Sequence, residues 1–298
     1  MTTSDGPDGP VLSLVVLAWN NLELTKRCVE SLRQNTAVAH ELILVDNGSE
    51  DGTGDFARSR ADVAVVHESN LGFAAGMNAG LEQASGRFVA FINNDTAFPS
   101  GWAEPILETF ERYPRAGIVL PAVTAAGNPV TVREEPGDRQ LTLQPFGEFP
   151  SGVVYVMRTG LMRDLGGWNE AYRTASAEDL DLAFTVWAHG LDIVLDERVL
   201  VEHVSQATVR TIPDRGVLYR ENLEQFLDRW ASVPLGETPL AGSIDTETFL
   251  ANQETAKTAV IWIRRMLEAR DEARRLRREL KKRAQPANRR RGWFRARS

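Results

Sequence analysis

The sequence is poor in cysteine and has no long apolar run, and each of these features excludes a class of protein. Cys28 is the only cysteine among the 298 residues, so an internal disulfide framework is impossible. No apolar run approaches the ~20 residues that a membrane-spanning helix needs. The start of the chain, MTTSDGPDGP, lacks the basic and then apolar layout of a secretory signal. We therefore expect a cytoplasmic protein in which Cys28 is a small buried residue of a helix.

The composition is that of a globular protein in which charge is unevenly distributed. Hydrophobic residues make up 43% of the chain and charged residues 25%, which predicts a packed core in one large domain with an extension. The net charge is −7, but residues 264–298 hold 15 Lys/Arg and 4 Asp/Glu, so residues 1–263 carry −18. The basic end predicts an anionic partner, either a membrane surface or the acidic body of the chain itself.

The terminal segment RRRGWFRARS places Trp293 and Phe294 among arginines, a composition that suits peripheral contact with the inner face of a membrane. A solvated helix with a frayed tail explains the same residues without a membrane. The basic segment contains no recognisable nucleic-acid recognition module, which argues against nucleic acid as a partner.

Apolar runs alternate with helical patterns along the first half of the chain. Strands are predicted at 11–18, 41–45, 63–66 and 87–92, with helices at 22–33, 53–59 and 74–84 between them. This βαβα alternation predicts an α/β fold with an open, mostly parallel sheet flanked by helices. The loops that begin at Trp19, Asp46 and Asn93 should then meet at one edge of the sheet, where ligands bind in such folds.

The second half of the chain has a less regular pattern. We predict helices at 102–113 and 178–189, strands at 118–120 and 153–157, and a strand-rich segment at 193–204. The polar stretch 124–150 is interpreted as a mobile loop region. These patterns divide the chain into a disordered leader at 1–9, an α/β domain at 10–231, and a linker, a helix and a basic tail at 232–298.

Several polar clusters lie at predicted strand ends or helix starts, and each also has an ordinary structural explanation. The residues of DNGSEDGT (46–53) are common in turns, and acidic residues cap helices such as the one beginning in AEDLDL (177–182). Glycines recur every four residues in NLGFAAGMNAG (70–80), where another backbone or a ligand could approach closely. Asp95 of NND (93–95) follows an apolar strand, where a carboxylate can hold Mg²⁺ or Mn²⁺ against a diphosphate.

Taken together and in order, these motifs resemble those of the inverting family 2 glycosyltransferases. The resemblance covers roughly the first 230 residues. Within the family, the sequence resembles the rhamnosyltransferase-like branch, which builds polysaccharides and decorates natural products. The motifs that carry it are AWN (18–20), DNGSEDGT, NLGFAAGMNAGL, NND, GGWNE (166–170) and AEDLDL. The resemblance implies the GT-A type fold and sugar transfer from a UDP- or dTDP-sugar to a hydroxyl of a glycan, a lipid-linked glycan or a small molecule.

The resemblance also implies roles for particular residues. Asp46 would hydrogen-bond the pyrimidine base and Trp19 would stack beside it. Asp95 would bind the divalent cation that bridges the two phosphates, and His203 resembles a histidine that completes this metal site in some relatives. The same motifs implicate further residues in donor binding: Asn70, Gly76, Asn78 and Asn94.

Asp179 corresponds to the general base of relatives that carry an ED motif, with Glu178 as its catalytic neighbour. Asp181 is predicted to point away from both. Trp168 is predicted either to stack on a sugar or to belong to the core. Asn93 departs from the more usual aspartate, which leaves a less charged metal site.

Two other functions remain as alternatives. A nucleotidyltransferase also needs a nucleotide-binding sheet and acidic metal ligands, but the segment LAWNNLEL after the first strand lacks a glycine-rich, basic loop for a triphosphate. The chain could instead be a catalytically inactive sugar-nucleotide-binding or scaffold protein that recruits partners through its basic tail. Asn93 favours this second reading, whereas the retained acidic residues oppose it.

Overall fold

The computed structural model describes residues 9–126, 129–144, 148–150, 152–174, 176–204, 215–232 and 246–284. The strands are β1 (Leu12–Ala18), β2 (His40–Asp46), β3 (Val63–Val66), β4 (Phe88–Asn93), β5 (Thr96–Ala97), β6 (Ala116–Val123), β7 (Gln140–Leu143), β8 (Val154–Arg158) and β9 (Asp192–His203). The helices are α1 (Leu22–Asn35), α2 (Thr53–Arg60), α3 (Phe73–Gln83), α4 (Ala103–Arg112), α5 (Thr159–Asp164), α6 (Glu178–Ala188), α7 (Arg215–Ser232) and α8 (Thr246–Ala284).

The strands form a mixed, mostly parallel sheet in the order β3-β2-β1-β4-β8-β6-β9-β5, with β7 pairing with β9. The pairs β1–β2, β1–β4, β2–β3 and β6–β9 are parallel, whereas β8 runs antiparallel between β4 and β6. The predicted α/β fold is therefore confirmed. Because β8 is antiparallel, its first residues lie beside the carboxyl end of β4, where Asn93 donates its backbone N–H to Val153 O at 3.1 Å.

The central strands are apolar on both faces because helices cover the sheet on each side. One core lies between the sheet and the face that includes α1 and α4, and a second lies under α3 and α6. Two glycines bring α3 close to β1. A Cβ at Gly76 would lie 2.4 Å from Cδ1 of Leu17, and one at Gly80 would lie 2.3 Å from Cγ1 of Val15. The four-residue glycine spacing therefore reflects, at these two positions, close packing of a helix on a strand.

The described part of the C-terminal extension packs onto the sheet-covering helix α6. A third apolar core joins Phe184 of α6 to Phe226 and Trp230 of α7 and to Val260 and Ile263 of α8. None of the helices within the described ranges is both long and apolar enough to cross a membrane. The domain boundary at 231 stays a prediction. The leader 1–8, the linker residues 233–245 and the tail 285–298 lie outside the described residues.

The interpretation of 124–150 as one loop region was wrong for part of its length. Residues Pro129–Thr131 form a 3-10 turn, and Gln140–Leu143 form β7, which pairs antiparallel with β9 from Gln140–Asp196 to Leu143–Ile193. The turn residues on either side of this short strand hid its pattern. Its partner β9 is distant in sequence, so no local signal marked the pairing.

Candidate active site

The loops that follow β1 and β2 are joined by hydrogen bonds. Asn20 donates its backbone N–H to Ser49 Oγ at 2.7 Å, and its side-chain Oδ1 accepts the N–H of Glu50 at 3.0 Å. Asp51 Oδ2 accepts the N–H of Leu22 at 2.8 Å, which fixes the start of α1. Trp19, the predicted base-stacking residue, directly precedes Asn20 in this loop and is half-buried.

Asp46 ends β2 and is buried. Its Oδ1 accepts the N–H of Ser49 at 3.1 Å, and a Cβ at Gly54 would lie 2.8 Å from its Oδ2. Glycine at position 54 is therefore needed because helix α2 passes very close to this carboxylate. Asp46 stands at the carboxyl edge of the sheet, where the motif predicted it.

Asn47 was missed as a candidate from the sequence, although it organises the neighbouring loop. Its Nδ2 donates to Asn70 Oδ1 and to Gly72 O, both at 3.0 Å, while its Oδ1 accepts the N–H of Leu71 at 3.0 Å. Asn70 Oδ1 also accepts the N–H of Gly72 at 2.8 Å. The Asn47 and Asn70 side chains thus hold residues 70–72 in place at the start of α3. An asparagine directly after the strand-ending aspartate was the signal available for Asn47.

Asn78 holds the GGWNE segment against α3. Its Oδ1 accepts the N–H of Trp168 at 2.8 Å, and its Nδ2 donates to Trp168 O at 2.9 Å and to Glu170 Oε1 at 2.7 Å. Gly76 packs closely against the side chain of Leu17. Both residues have structural partners here, and their roles in donor binding stay predictions.

The NND segment continues from β4 into the short strand β5. Asn94 is buried, and its Nδ2 donates to Thr25 Oγ1 at 2.8 Å and to Asn20 O at 3.3 Å. This side chain therefore connects α1 with the loop after β1. Cys28 lies beside the same segment, and burial raises the pKa of its thiol to about 12. Cys28 is thus a buried, un-ionised thiol and no nucleophile, as expected.

Asp95 and His203 come together although they are distant in sequence. β5 pairs antiparallel with the end of β9, so that Thr96 lies opposite His203. This pairing brings His203 Nε2 to 3.2 Å from Asp95 Oδ1, and both side chains are buried. Burial lowers the pKa of His203, but the hydrogen bond and charge of Asp95, together with the carbonyl of Ala125, outweigh burial and raise it overall.

These two side chains fit a divalent cation. His203 Nδ1 lies 2.5 Å from Ala125 O, and because a carbonyl only accepts, this nitrogen carries the hydrogen. When Nε2 also carries a hydrogen, it donates to the Asp95 carboxylate, in line with the raised pKa of His203. When Nε2 loses this hydrogen, its lone pair faces the side of Asp95, where a cation could bind to both side chains. Within the described ranges no cluster of three or more His, Cys, Asp or Glu side chains could hold a metal. The protein would therefore supply two ligands and leave the others to phosphate oxygens and water, as is usual for Mg²⁺.

Glu178 and Asp179 start α6 in different environments. Glu178 is only 7% exposed, and its Oε2 has no hydrogen-bond partner among the residues that the structure describes. Asp179 is half-buried, and its carboxylate accepts the N–H of Leu180 at 2.9 Å and that of Gly152 at 3.3 Å. Gly152 precedes Val153, whose carbonyl is bonded to Asn93. Asp179 is thus reachable from solvent and tied to the end of β4.

The pKa values of both carboxyl groups are raised, and burial is the largest cause for each. Burial raises the pKa of Glu178, as does the neighbouring charge of Asp179, bringing it to about 8. Burial also raises the pKa of Asp179, although the N–H groups of Leu180 and Gly152 oppose this. With a pKa of about 8, the carboxyl group of Glu178 is therefore mostly protonated at neutral pH.

An aromatic cluster that includes Tyr155 lies near this pair, and burial together with the charges of Asp179 and Glu178 raises the pKa of Tyr155. Trp168 stacks on Tyr155 with ring centroids 5.8 Å apart and meets Phe73 and Phe91 edge-on at 5.2 and 5.3 Å. Tyr155 OH and Trp168 Nε1 are buried and have no hydrogen-bond partner within the described part of the chain. The prediction that Trp168 either stacks on a sugar or belongs to the core is resolved in favour of the core. Tyr155 was missed because its strand pattern is that of any buried residue.

The segment before Glu178 has an unusual backbone. Thr174, Ser176 and Ala177 all have positive φ, at 65°, 102° and 71°. Each such residue other than glycine costs on the order of 1–3 kcal/mol and persists only where its surroundings enforce it. Thr174 O accepts the N–H of Phe73 at 2.7 Å, which joins this segment to the start of α3.

Asp181 is buried, and its partners belong to other elements than the catalytic pair. Its carboxylate accepts from Tyr172 OH at 3.0 Å, Trp230 Nε1 at 2.8 Å and Asn169 Nδ2 at 2.9 Å. Arg229 Nε lies 3.0 Å from the same carboxylate. Asp181 therefore stabilises the joint between α6, the 169–172 loop and α7. No local pattern distinguishes such a residue from a helix-capping acid.

A pre-mycofactocin glycosyltransferase of Mycobacterium tuberculosis is 29% identical over 229 residues, which are 72% of this chain and 47% of that protein. The chain spans less than half the length of the curated relatives it matches. Solved structures share the fold. S. aureus TarS 1–349 in complex with UDP has a TM-score of 0.59 at 16% identity, covering 84% of this chain and 70% of that one.

GalNAc-T7, solved with UDP, GalNAc and Mn²⁺, has a TM-score of 0.58 at 14% identity, covering 83% of this chain and 55% of that one. The GT-A type of fold is thereby confirmed. Residues 13–165, just over half of the chain, match the family described as Glycosyl transferase family 2. The chain belongs to glycosyl transferase family 2.

Proposed function

We propose that the protein transfers a hexosyl or deoxyhexosyl group from a UDP- or dTDP-sugar to an acceptor hydroxyl with inversion. The observation that carries the proposal is the meeting of three groups at one sheet edge: Asp46 after β2, the Asp95–His203 pair after β4 and β9, and Asp179 beside Gly152. UDP in both solved neighbours and Mn²⁺ in one support a nucleotide-sugar donor and a divalent cation. A rhamnosyltransferase-like donor preference belongs to the same proposal.

The donor is held by the loops after the first two strands. Asp46 accepts a hydrogen bond from the imide of uracil or thymine, and Trp19 lies beside the base. The hydrogen bonds between Asn20 and residues 49–50 preorganise these loops, which reduces the entropy lost on binding. Asp95 and His203 would hold Mg²⁺ or Mn²⁺, which would stabilise the negative charge that develops on the diphosphate.

Asp179 acts as the general base. The acceptor oxygen forms a bond to the anomeric carbon while the bond from that carbon to the phosphate oxygen breaks, with its electron pair leaving on the nucleoside diphosphate. Asp179 takes the proton of the attacking hydroxyl, and the raised pKa of its carboxyl brings its basicity closer to neutrality. Glu178 stays protonated beside it, because burial opposes a second charge.

The acceptor is a glycan, a lipid-linked glycan or a natural product, and peripheral membrane contact suits the lipid-linked class. Helix α8 exposes Ile261, Trp262 and Met266 by 50%, 40% and 46%, next to Arg265. Apolar and aromatic residues beside arginines favour an anionic membrane surface. The basic tail on which this expectation first rested lies outside the described residues, and a cytoplasmic location stays a prediction.

The first test is the thermal stability of the purified protein with UDP, dTDP, GDP or CDP, each with and without Mn²⁺. A ligand that binds only the native state raises the Tm. We expect a Mn²⁺-dependent increase with UDP or dTDP that is lost in Asp95→Ala and kept in Asp164→Ala, which changes an exposed carboxylate outside the site. Loss of the shift in both variants, or no shift with any nucleotide, would favour the scaffold alternative.

A further inference from the structure

Asn222 of α7 lies against the segment that leads into the catalytic pair. Its side chain is buried, its Oδ1 accepts the N–H of Arg173 at 3.2 Å, and its Nδ2 donates to Arg173 O at 2.9 Å and to Ser176 O at 3.1 Å. One amide side chain therefore satisfies backbone groups at both ends of residues 173–176. This is the kind of contact that replaces regular secondary structure in an irregular segment.

The conformation of this segment needs such support. Thr174, Ser176 and Ala177 have positive φ, which residues other than glycine adopt only when their surroundings require it. The backbone turn at Ala177 directs Glu178 and Asp179 into the first turn of α6. The conformation held by Asn222 thus determines where the two carboxyl groups start.

A second contact joins α7 to the same helix one turn further on. Trp230 and Arg229 approach the Asp181 carboxylate at 2.8 and 3.0 Å, and Phe226 packs edge-on against Phe184 at a centroid distance of 5.1 Å. These contacts set the position of α6 relative to α7. Residues 215–232 follow the end of the family match at 165, so they lie in the part of the chain that the family description does not cover.

We propose that α7 is a positioning element for the catalytic pair and that Asn222 is its principal positioning residue. The amide of Asn222 bonds the backbone of Arg173 and Ser176, next to the positive φ angles at Thr174, Ser176 and Ala177. Asp181 fixes α6 through Trp230 and Arg229. Asn222 contacts Arg173 and Ser176, which lead into α6, and its effect on the reaction passes through the placement of Glu178 and Asp179. The expected effect on turnover rests on the proposed function, whereas the expected effect on the structure of the segment does not.

The test compares Asn222→Ala and Asn222→Asp with the wild-type full chain. Asn222→Asp has nearly the same shape and keeps an acceptor for the Arg173 N–H, but it lacks the donor for the Arg173 and Ser176 carbonyls. In hydrogen exchange without substrates, we expect amides of 173–181 to exchange about tenfold faster in both variants, with β1 and β4 still protected. Glu224→Ala, an exposed substitution on the same helix, is the control and should exchange like the wild type.

Steady-state kinetics provide the functional arm of the test. We expect kcat to fall about tenfold or more in both Asn222 variants, while the Kd for UDP with Mn²⁺ stays within about threefold of the wild type, because only the transition-state geometry changes. Unchanged exchange at 173–181, or a loss of nucleotide affinity equal to the loss of kcat, would overturn the positioning role. Absence of any transfer by the wild type would count against the proposed function, whereas the exchange result would still decide the structural half of this inference.

Discussion

His203 Nε2 lies 3.2 Å from Asp95 Oδ1 because the short strand β5 pairs with the end of β9. Among the described residues, the other polar contact of this imidazole ring is with the carbonyl of Ala125. Two buried side chains thus face each other at the sheet edge. Either the protonated imidazole donates a hydrogen bond to the carboxylate, or the two side chains bind a cation between them.

The first prediction concerns this pair. His203→Ala should lower the affinity for Mn²⁺ in the presence of UDP by about 10- to 100-fold, because one of two protein ligands is lost. Isothermal titration calorimetry of the Mn²⁺–UDP complex measures the change. His40→Ala, whose ring contacts only the Val38 carbonyl among the described contacts, is the matched control. Equal affinities for the wild type and His203→Ala would remove His203 from the site.

The second prediction concerns the general base. Asp179→Asn should lower kcat by about 10²- to 10⁴-fold, because the amide cannot take the proton of the acceptor hydroxyl. Nucleotide affinity should stay unchanged, since Asp179 contacts Gly152 and Leu180 rather than the predicted donor residues. Turnover is measured by release of the nucleoside diphosphate, with Asp164→Asn as the control. Full activity of Asp179→Asn would show that another group is the base.

The third prediction concerns stability and pH. The pKa of Glu178 is raised in the folded protein from an ordinary value of 4.5 to about 8, so the folded state binds this proton more tightly than the unfolded state. The resulting stability is complete below about pH 4.5 and is lost as the pH rises toward 8, with a slope of at most about 1.4 kcal/mol per pH unit.

Glu178→Gln removes this titration. The free energy of unfolding of the variant, relative to the wild type, should therefore rise between about pH 5 and pH 8. Urea unfolding at several pH values, followed by circular dichroism, measures the difference. If the two proteins lose stability in parallel over this range, the carboxyl group of Glu178 has an ordinary pKa.

The fourth prediction separates two glycines in helices. Gly76→Ala should lower the free energy of unfolding by about 1–3 kcal/mol, because the new methyl group would overlap Leu17 and the core would have to shift. Gly160→Ala in α5 meets no atom within 4 Å and should raise it by up to about 1 kcal/mol through helix propensity. Urea denaturation of both variants tests the contrast. Stabilisation by both substitutions would mean that α3 does not pack this closely on β1.

The fifth prediction concerns the exposed face of α8. The protein should co-sediment with vesicles that contain anionic lipid and should not do so with neutral vesicles, and high salt should weaken the interaction. Replacing both Ile261 and Trp262 by Ser should reduce binding, because these side chains are exposed and available for insertion. Leu223 of α7 is half-buried within the third core and is not part of this face. Equal sedimentation of the variant would assign the binding to the basic residues alone.

The sequence predicted the fold class and the edge of the sheet where the site lies. Local signals sufficed, since β1, β2 and β4 are apolar runs and the polar residues that follow them mark the strand ends. The position of Asp46 and Asp95 at that edge follows from chain order alone. The short strand β7 escaped prediction because four residues between turn formers give no reliable periodicity.

Other features depend on contacts between residues that are far apart in the chain. The pairing of Asp95 with His203, the burial of Trp168 against Tyr155 and the support of residues 173–177 by Asn222 all join distant elements. Glu178 and Asp179 are adjacent and chemically alike in sequence, yet Glu178 is buried whereas Asp179 is half-buried. Chain order determined which chemical groups reach the sheet edge, whereas tertiary packing decided which are buried and which carry a proton. The physical reason is that desolvation depends on every neighbour in space, and most of those neighbours are remote in sequence.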